Sequence, residues 1–179
     1  MLLDPQNANS SVTVSSVWDD PRLADPHAQP DKAARVRAMF DGIAPTYERV
    51  NRILSLGRDG FWRRRAVVLA ETKADDRVLD LACGTGDFAR AFADANVSAV
   101  AGCDFSEEML RLAGHRGSNI SYCRGDAVSL PYADQSFTIV SCAFGVRNFQ
   151  DLARSLAEMA RVLRPGGRAA GALASSDQT

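Results

Sequence analysis

The sequence predicts an α/β fold in which a parallel sheet carries helices on both faces. The first observation is a set of four short apolar runs with the length of buried parallel strands: residues 78–82, 98–103, 120–123 and 136–142. The second is the turn Gly84-Thr85-Gly86, which follows the first run and precedes an alanine-rich helical pattern. The third is the length of 179 residues, which is typical of one domain.

The glycine turn is the feature around which the other elements are arranged. Glycines accept positive φ angles and let a ligand approach the backbone closely, and the following helix begins with unpaired N–H groups. Nucleotide-like ligands bind at such a turn in open α/β sheets. Gly84-x-Gly86-x-x-Ala89 also fits the loose dinucleotide fingerprint. A turn that only packs the helix onto the sheet is the remaining interpretation.

Asp80 distinguishes between the nucleotide ligands. Its carboxylate comes just before the glycine turn, where it would lie unfavourably close to a pyrophosphate. A ligand with a positively charged amino-acid end, such as S-adenosylmethionine, suits it better. The position therefore favours S-adenosylmethionine over a dinucleotide.

Two further acidic positions fit a bound nucleoside. Asp104 ends the second predicted strand, 18 residues after Gly86, where a carboxylate can accept hydrogen bonds from both ribose hydroxyls. A capping role for the next helix is the alternative, although Ser106 could fill that role. After the third strand, Asp126 could meet an adenine amino group and the N–H of Ala127 a ring nitrogen. An ordinary Gly-Asp turn is the alternative there.

Composition excludes several classes of function. The net charge of −1 gives no sign of nucleic acid binding, and no apolar run is long enough to span a bilayer. A secretory signal is not recognisable at the N-terminus. The four cysteines fall near the ends of the four predicted strands: Cys83, Cys103, Cys123 and Cys142. They indicate small buried hydrophobes in a reducing cytoplasm rather than a metal site.

The pattern divides the chain into three parts. Residues 1–30 are rich in Asp, Asn, Ser and Pro and are predicted to be a disordered tail. Residues 31–73 are predicted to form a helical lid of three helices. The first runs from Asp31 to about Phe40, and the second begins at Pro45 and ends at Gly57. The third covers 60–71 and carries Arg63-Arg64-Arg65. That run indicates a solvated face or contact with lipid headgroups or a phosphate. Residues 74–179 are predicted to form the ligand-binding sheet domain.

The end of the sheet domain is predicted to be weak. Asp151 is a candidate N-cap for a helix that runs to Leu163. Arg164-Pro165-Gly166-Gly167 then ends this helix and turns the chain. Residues 168–173 are a poor candidate for a fifth strand, because they are mostly alanine and glycine.

Together these motifs resemble class I S-adenosylmethionine-dependent methyltransferases, with their Rossmann-like sheet of strand order 3-2-1-4-5-7-6. Residues 36–66, FGVRNF at 144–149 and RVLRPGGR at 161–168 narrow the resemblance to the ubiquinone/menaquinone biosynthesis methyltransferases. The family's tyrosine-to-serine motif is present as Tyr47, Glu48, Asn51, Leu54 and Ser55. The family's usual histidine, serine and acidic residue are replaced by Asp59, Ala143 and Val128.

The resemblance implies a set of site residues. Those implied to hold or shape the S-adenosylmethionine pocket are Asp80, Gly84, Thr85, Gly86, Asp104, Asp126 and Ala127. Arg147 and Asn148, with Asp87, are implied to face the reacting region. Because an arginine does not easily act as a base, we expect a water held by Arg147 and Asp87 to accept the proton. A salt bridge from Arg147 to a nearby carboxylate is the structural alternative.

The implied reaction is C-methylation of a demethylated prenyl quinol, either a benzoquinol or a naphthoquinol, at a membrane surface. The resemblance implies a cytoplasmic protein, peripheral to the inner face of the membrane. A homodimer or other quinone-biosynthesis proteins are the expected partners. The last two strands of the family are not recognisable, so a truncated and inactive S-adenosylmethionine-binding or scaffold subunit is one alternative. A small-molecule methyltransferase with another acceptor is the other.

Overall fold

The computed structural model describes residues 36–44, 46, 59–114, 119–143 and 145–171. The predicted tail over 1–30, the motif from Tyr47 to Ser55 and most of the helix predicted from Pro45 lie outside the described residues. Residues 36–44 are helical, four residues further than the predicted end at Phe40. None of the described helices has the length and apolar character that a membrane span requires.

Besides the helical segment 36–44, five strands and four α-helices form the described fold. The strands are β1 (Arg77–Leu81), β2 (Ala99–Asp104), β3 (Ile120–Arg124), β4 (Phe137–Ser141) and β5 (Leu163–Ala170). The helices are α1 (Asp59–Leu69), α2 (Asp87–Ala93), α3 (Glu107–Gly114) and α4 (Leu152–Val162), with a 3₁₀ turn over Gly145–Asn148. Each of the first four strands lies within one or two residues of its predicted bounds.

The sheet is parallel throughout and its order is β3-β2-β1-β4-β5. This order confirms the predicted α/β fold. The order reverses between β1 and β4, and such a switch point opens a crevice outside the carboxyl ends of the strands. The loops after β1, β2 and β4 therefore meet at one edge of the sheet.

Both faces of the sheet are covered, as predicted. Val78 and Ile139 point to the face on which α1 and α2 pack, through Val67, Phe88 and Phe92. The alternate strand residues point to the other face, where α4 contributes Met159 and Val162 to a second apolar cluster. Strand side chains alternate between faces, so a nearly continuous apolar strand such as β1 serves both clusters.

The prediction for the fifth strand was wrong in its start. β5 begins at Leu163, directly after α4, rather than at Arg168. Phe137 is paired with Leu163 whereas Ile139 is paired with Arg168, so the residues between them are accommodated as an irregularity in the register. Gly166 adopts a φ of 76° there. The residues that predicted a turn therefore form a bulged strand.

Capping predictions for two helices are confirmed. The Asp151 carboxylate accepts a hydrogen bond from the Arg154 N–H at 2.9 Å, which satisfies one of the exposed donors at the start of α4. At the start of α3, the Ser106 hydroxyl oxygen accepts the Met109 N–H at 3.2 Å. Ser106 therefore caps α3, so the capping role considered for Asp104 is filled by Ser106.

Candidate functional site

A cavity of about 260 Å³ opens at the carboxyl edge of β1, β2 and β4. Nine of the ten residues that sequence reasoning singled out for the site contribute to its wall: Asp80, Gly84, Thr85, Asp87, Asp104, Asp126, Ala127, Arg147 and Asn148. These residues come from four separate loops and strand ends. The topology of the sheet alone brings them together.

Gly86 is the exception, because it does not belong to the described cavity wall. Its φ is 81°, and a Cβ built on it would lie 2.3 Å from the Tyr122 hydroxyl oxygen. Gly84 has a φ of 54°. Apart from its chain neighbours, no atom of the described residues lies within 4 Å of the corresponding Cβ position. The two glycines therefore have different roles: Gly84 leaves open space for a ligand, and Gly86 makes room for a tyrosine ring.

Asp80 lies at the floor of the cavity and is 1% exposed. Its Oδ1 accepts a hydrogen bond from the Ser141 hydroxyl at 2.9 Å, while its Oδ2 has no hydrogen-bond partner among the described residues. Burial, with a smaller contribution from the Asp104 carboxylate, raises the pKa of Asp80 to about 7. The Ser141 hydroxyl, the Ala89 backbone N–H and the charge of Arg63 oppose this rise. A cationic ligand group beside Oδ2 would stabilise the ionised carboxylate.

Asp104 braces the glycine turn against the end of β2. Its Oδ2 accepts the Gly84 N–H at 2.8 Å and its Oδ1 accepts the Ser106 N–H at 2.9 Å. Burial raises the pKa of this carboxyl group, against the hydrogen bonds from Ser106 and Gly84. Each carboxylate oxygen can accept more than one hydrogen bond, so the brace is compatible with the predicted ribose contact.

Asp126 and Ala127 form a turn at the mouth of the cavity. The Asp126 Oδ1 accepts the Val128 N–H at 3.1 Å, and the Asp126 carbonyl accepts the Ser129 N–H at 3.0 Å. The ordinary Gly-Asp turn is therefore present, and both residues also line the cavity. Ala127 is buried and belongs to the apolar cluster beneath.

Arg147 and Asn148 lie in the 3₁₀ turn that follows β4. This turn packs closely on the end of β1, since a Cβ on Gly145 would lie 2.3 Å from the Ala82 Cβ. Among the described residues, no carboxylate forms an ion pair with Arg147, so the salt bridge considered as the alternative role is not found there. The exposed guanidinium belongs to the cavity wall.

Asp87 differs from its predicted surroundings, because two arginines engage it. Arg90 forms an ion pair with its Oδ1, and the Arg63 Nη1 lies 3.2 Å from its Oδ2. Arg63 itself lines the cavity and its side chain is only 15% exposed. Sequence reasoning missed Arg63 by treating the three arginines as one run, although Arg63 shares a helix face with the buried Val67 and Ala70.

The helical segment 36–44 covers the β2 side of the cavity. Val36 and Phe40 line it, and the Phe40 ring packs edge-on against Phe105 with centroids 6.1 Å apart. The Ser106 hydroxyl also donates a hydrogen bond to the Asp41 carboxylate. The segment therefore contacts the two residues that follow Asp104, as a lid would.

The cysteines are small buried side chains, as predicted. Cys83, Cys103 and Cys142 are buried, and Cys123 is half-buried with its sulfur 2.9 Å from the Tyr132 hydroxyl. Burial raises the pKa of the Cys142 thiol to about 12 and that of the Cys83 thiol well above its usual range. These two thiols therefore stay protonated near neutral pH.

The cavity fits the amino-acid end of S-adenosylmethionine on two observations. The unpartnered Oδ2 of Asp80 is an acceptor that a ligand ammonium can satisfy. The open space at Gly84 lets a ligand approach the turn backbone.

The curated proteins to which this chain is similar include demethylmenaquinone methyltransferases from several bacteria. The chain is 45% identical over 143 residues to the demethylmenaquinone methyltransferase of Chlorobaculum parvum, covering 78% of this chain and 59% of the relative. It is 50% identical over 143 residues to that of Deinococcus radiodurans, covering 77% and 59%. The chain thus spans about three fifths of the length of the curated relatives it matches.

Solved structures agree on the architecture. An S-adenosylmethionine-dependent methyltransferase from Mesorhizobium loti has a TM-score of 0.55 and 30% identity, covering 60% of this chain and 51% of its own. A Thermotoga maritima S-adenosylmethionine-dependent methyltransferase has a TM-score of 0.63 and 25% identity, covering 75% and 59%. The model of the ubiE/COQ5 methyltransferase family matches residues 28–177. The chain therefore belongs to the ubiE/COQ5 methyltransferase family.

Proposed function

We propose that this chain binds S-adenosylmethionine and takes part in C-methylation of a demethylated prenyl quinol. The observation that carries the proposal is a continuous cavity formed by the described residues. It joins an acidic pocket, built on Asp80 and Asp104, to the exposed guanidinium of Arg147. The names of the curated relatives support a menaquinol-type substrate.

Named residues would hold the cofactor. Asp80 would accept its ammonium, Asp104 its ribose hydroxyls, and Asp126 with the Ala127 N–H its adenine, beside the turn at Gly84 and Thr85. When bound, S-adenosylmethionine supplies an electrophilic methyl group on a sulfonium sulfur. The lid segment 36–44 would exclude water from this pocket through Phe40, which raises the strength of every electrostatic contact inside it.

The quinol side of the reaction needs charge stabilisation and a proton acceptor. A quinol ring carbon is nucleophilic when its neighbouring phenolic oxygen carries negative charge. Arg147 would stabilise that oxygen through its planar, cationic guanidinium. A water held between Arg147 and Asp87 would accept the phenolic or ring proton of the quinol. A carboxylate has about four lone-pair sites, so Asp87 can hold this water while paired with its two arginines.

The exposed residues of α1 support the proposal that the protein acts at a membrane surface. Phe61 and Trp62 are each 53% exposed, and Val68 and Leu69 are 65% and 68% exposed on the same side of the helix. The exposed Arg65 lies among them. Aromatic side chains beside arginine are typical of helices that rest in the headgroup region of anionic bilayers. We propose that the prenyl tail remains in the bilayer while the ring enters the cavity.

The proposed reaction is tested by mass spectrometry of the quinone pool after incubation with S-adenosylmethionine. A short-tailed demethylmenaquinol, kept reduced, is expected to gain one methyl group, and the oxidised quinone is expected to gain none because it lacks the phenolic nucleophile. A demethylated benzoquinol with the same tail measures the ring preference. Methylation of soluble phenols but not of either prenylated quinol would contradict the proposal and identify another acceptor.

A further inference from the structure

Arg63 contributes its side chain to the cavity wall, whereas Arg64 and Arg65 do not contribute to the described wall. Its side chain is 15% exposed and its Nη1 lies 3.2 Å from the Asp87 Oδ2. Arg64 and Arg65 are exposed and do not contribute to the described cavity wall. The difference follows from helix geometry, because Arg63, Val67 and Ala70 are four and three residues apart and so lie on the buried face.

Arg63 gives the cavity a cationic wall near its acidic floor. The positive charge of Arg63 acts on the buried Asp80, whose Oδ2 has no partner among the described residues. Asp87 holds the guanidinium in place from one side. A guanidinium carries five N–H donors in a planar fork and can serve two carboxylates at once.

An acceptor for a cation and a donor group for an anion therefore face the same space. This arrangement is complementary to a free amino acid end, with its ammonium and carboxylate on one carbon. We propose that Arg63 binds the carboxylate of the ligand's amino-acid end while Asp80 accepts the ammonium. The inference rests on the proposed function for the identity of the ligand, S-adenosylmethionine, and deepens it by assigning specificity for the intact amino acid to Arg63.

The alternative is that Arg63 only fixes the turn after β1 through its ion pair with Asp87. The two roles differ in which ligands they affect. A carboxylate-binding residue affects only ligands that carry the carboxylate, whereas a residue that shapes the turn affects every ligand with the same adenosine. Three ligands separate these cases: S-adenosylhomocysteine, its decarboxylated analogue with the amine retained, and 5′-methylthioadenosine.

The experiment is titration calorimetry of the purified full chain and its variants with these three ligands. Arg63→Met is expected to weaken S-adenosylhomocysteine by about 10- to 100-fold, the range of a charged hydrogen-bonded contact. It should leave the two carboxylate-free ligands within about 2-fold of wild type, since they lack the group Arg63 binds. Arg64→Met, one residue along the same helix, is the matched control and should leave all three ligands unchanged.

The thermal midpoint of each variant shows whether it is folded. If Arg63→Met does not fold, Arg63→Lys, which keeps the positive charge, replaces it in the experiment. The lysine lacks the planar fork, so we expect a smaller loss, confined again to S-adenosylhomocysteine. Equal weakening of all three ligands in either variant, or no change in any of them, would overturn the inference. If wild type binds none of the ligands, the proposed function fails as well, so the two failures are distinguishable.

Discussion

Replacing Gly86 by alanine is expected to lower the free energy of unfolding by about 2 to 5 kcal/mol. Roughly 1 to 2 kcal/mol comes from a side chain in the left-handed region, where Gly86 has a φ of 81°. The rest, roughly 1 to 3 kcal/mol, comes from overpacking, because the new Cβ would lie 2.3 Å from the Tyr122 hydroxyl oxygen. Tyr122 has little room to retreat, since its ring also fills the space beside Gly102. Urea denaturation followed by circular dichroism measures the change.

Gly84→Ala is the matched control for Gly86→Ala. Gly84 also has a positive φ, of 54°, but a Cβ there meets no atom within 4 Å. The control should therefore show only the backbone strain of about 1 to 2 kcal/mol. Because its methyl group would enter the cavity, it should also weaken binding of S-adenosylhomocysteine. Equal destabilisation by the two substitutions would contradict the assigned roles of the glycines.

Replacing Arg147 by alanine is expected to lower the rate of quinol methylation by about 100- to 1,000-fold, the usual effect of removing one donor from a developing oxyanion. The affinity for S-adenosylhomocysteine should stay nearly unchanged, because no described carboxylate depends on Arg147 for an ion pair. Single-turnover kinetics with a reduced demethylmenaquinol, together with titration calorimetry, measure both quantities.

Two variants sharpen the Arg147 experiment. Arg147→Lys keeps the charge but loses the guanidinium fork, so an intermediate rate is expected. Arg164→Ala removes an exposed arginine on β5 whose Nε donates to the Gln135 carbonyl at 3.1 Å, outside the described cavity wall, and should leave the rate unchanged. A full methylation rate in Arg147→Ala would show that another group stabilises the phenolic oxygen.

The sheet could be predicted from the sequence because its signals are local. Apolar runs such as Val78-Leu79-Asp80-Leu81 have few alternatives to a buried strand, and the loop after each run determines where its polar residues meet. Once the strand order follows the family, Asp80, Asp104 and Arg147 must face one crevice. That convergence is a property of topology and does not depend on side-chain detail.

Other features depend on contacts between residues distant in the sequence. Pro165, Gly166 and Gly167 have strong turn preferences, yet β4 pairs with both sides of this stretch and the bulge absorbs it. The Arg168 guanidinium also donates to the Asp76 carboxylate and so fixes the second half of β5. Tertiary pairing therefore outweighs the local preference.

The direction of Arg63 is a second example. Three consecutive arginines on a helix point in three different directions. The ion pair with Asp87 identifies Arg63 as the one at the cavity. Helical spacing to Val67 and Ala70 was a usable signal in the sequence. The ion pair itself was not predictable, because its partner lies 24 residues later in another element.

A thermal unfolding experiment with two ligands tests most directly whether this chain forms a cavity for S-adenosylmethionine. A ligand that binds only the folded state stabilises it, by about 2.7 kcal/mol at 100 times its dissociation constant. S-adenosylhomocysteine is expected to raise the midpoint of a cooperative transition, and NAD is expected to leave it unchanged. A midpoint that responds to NAD and ignores S-adenosylhomocysteine would contradict this assignment of the cavity.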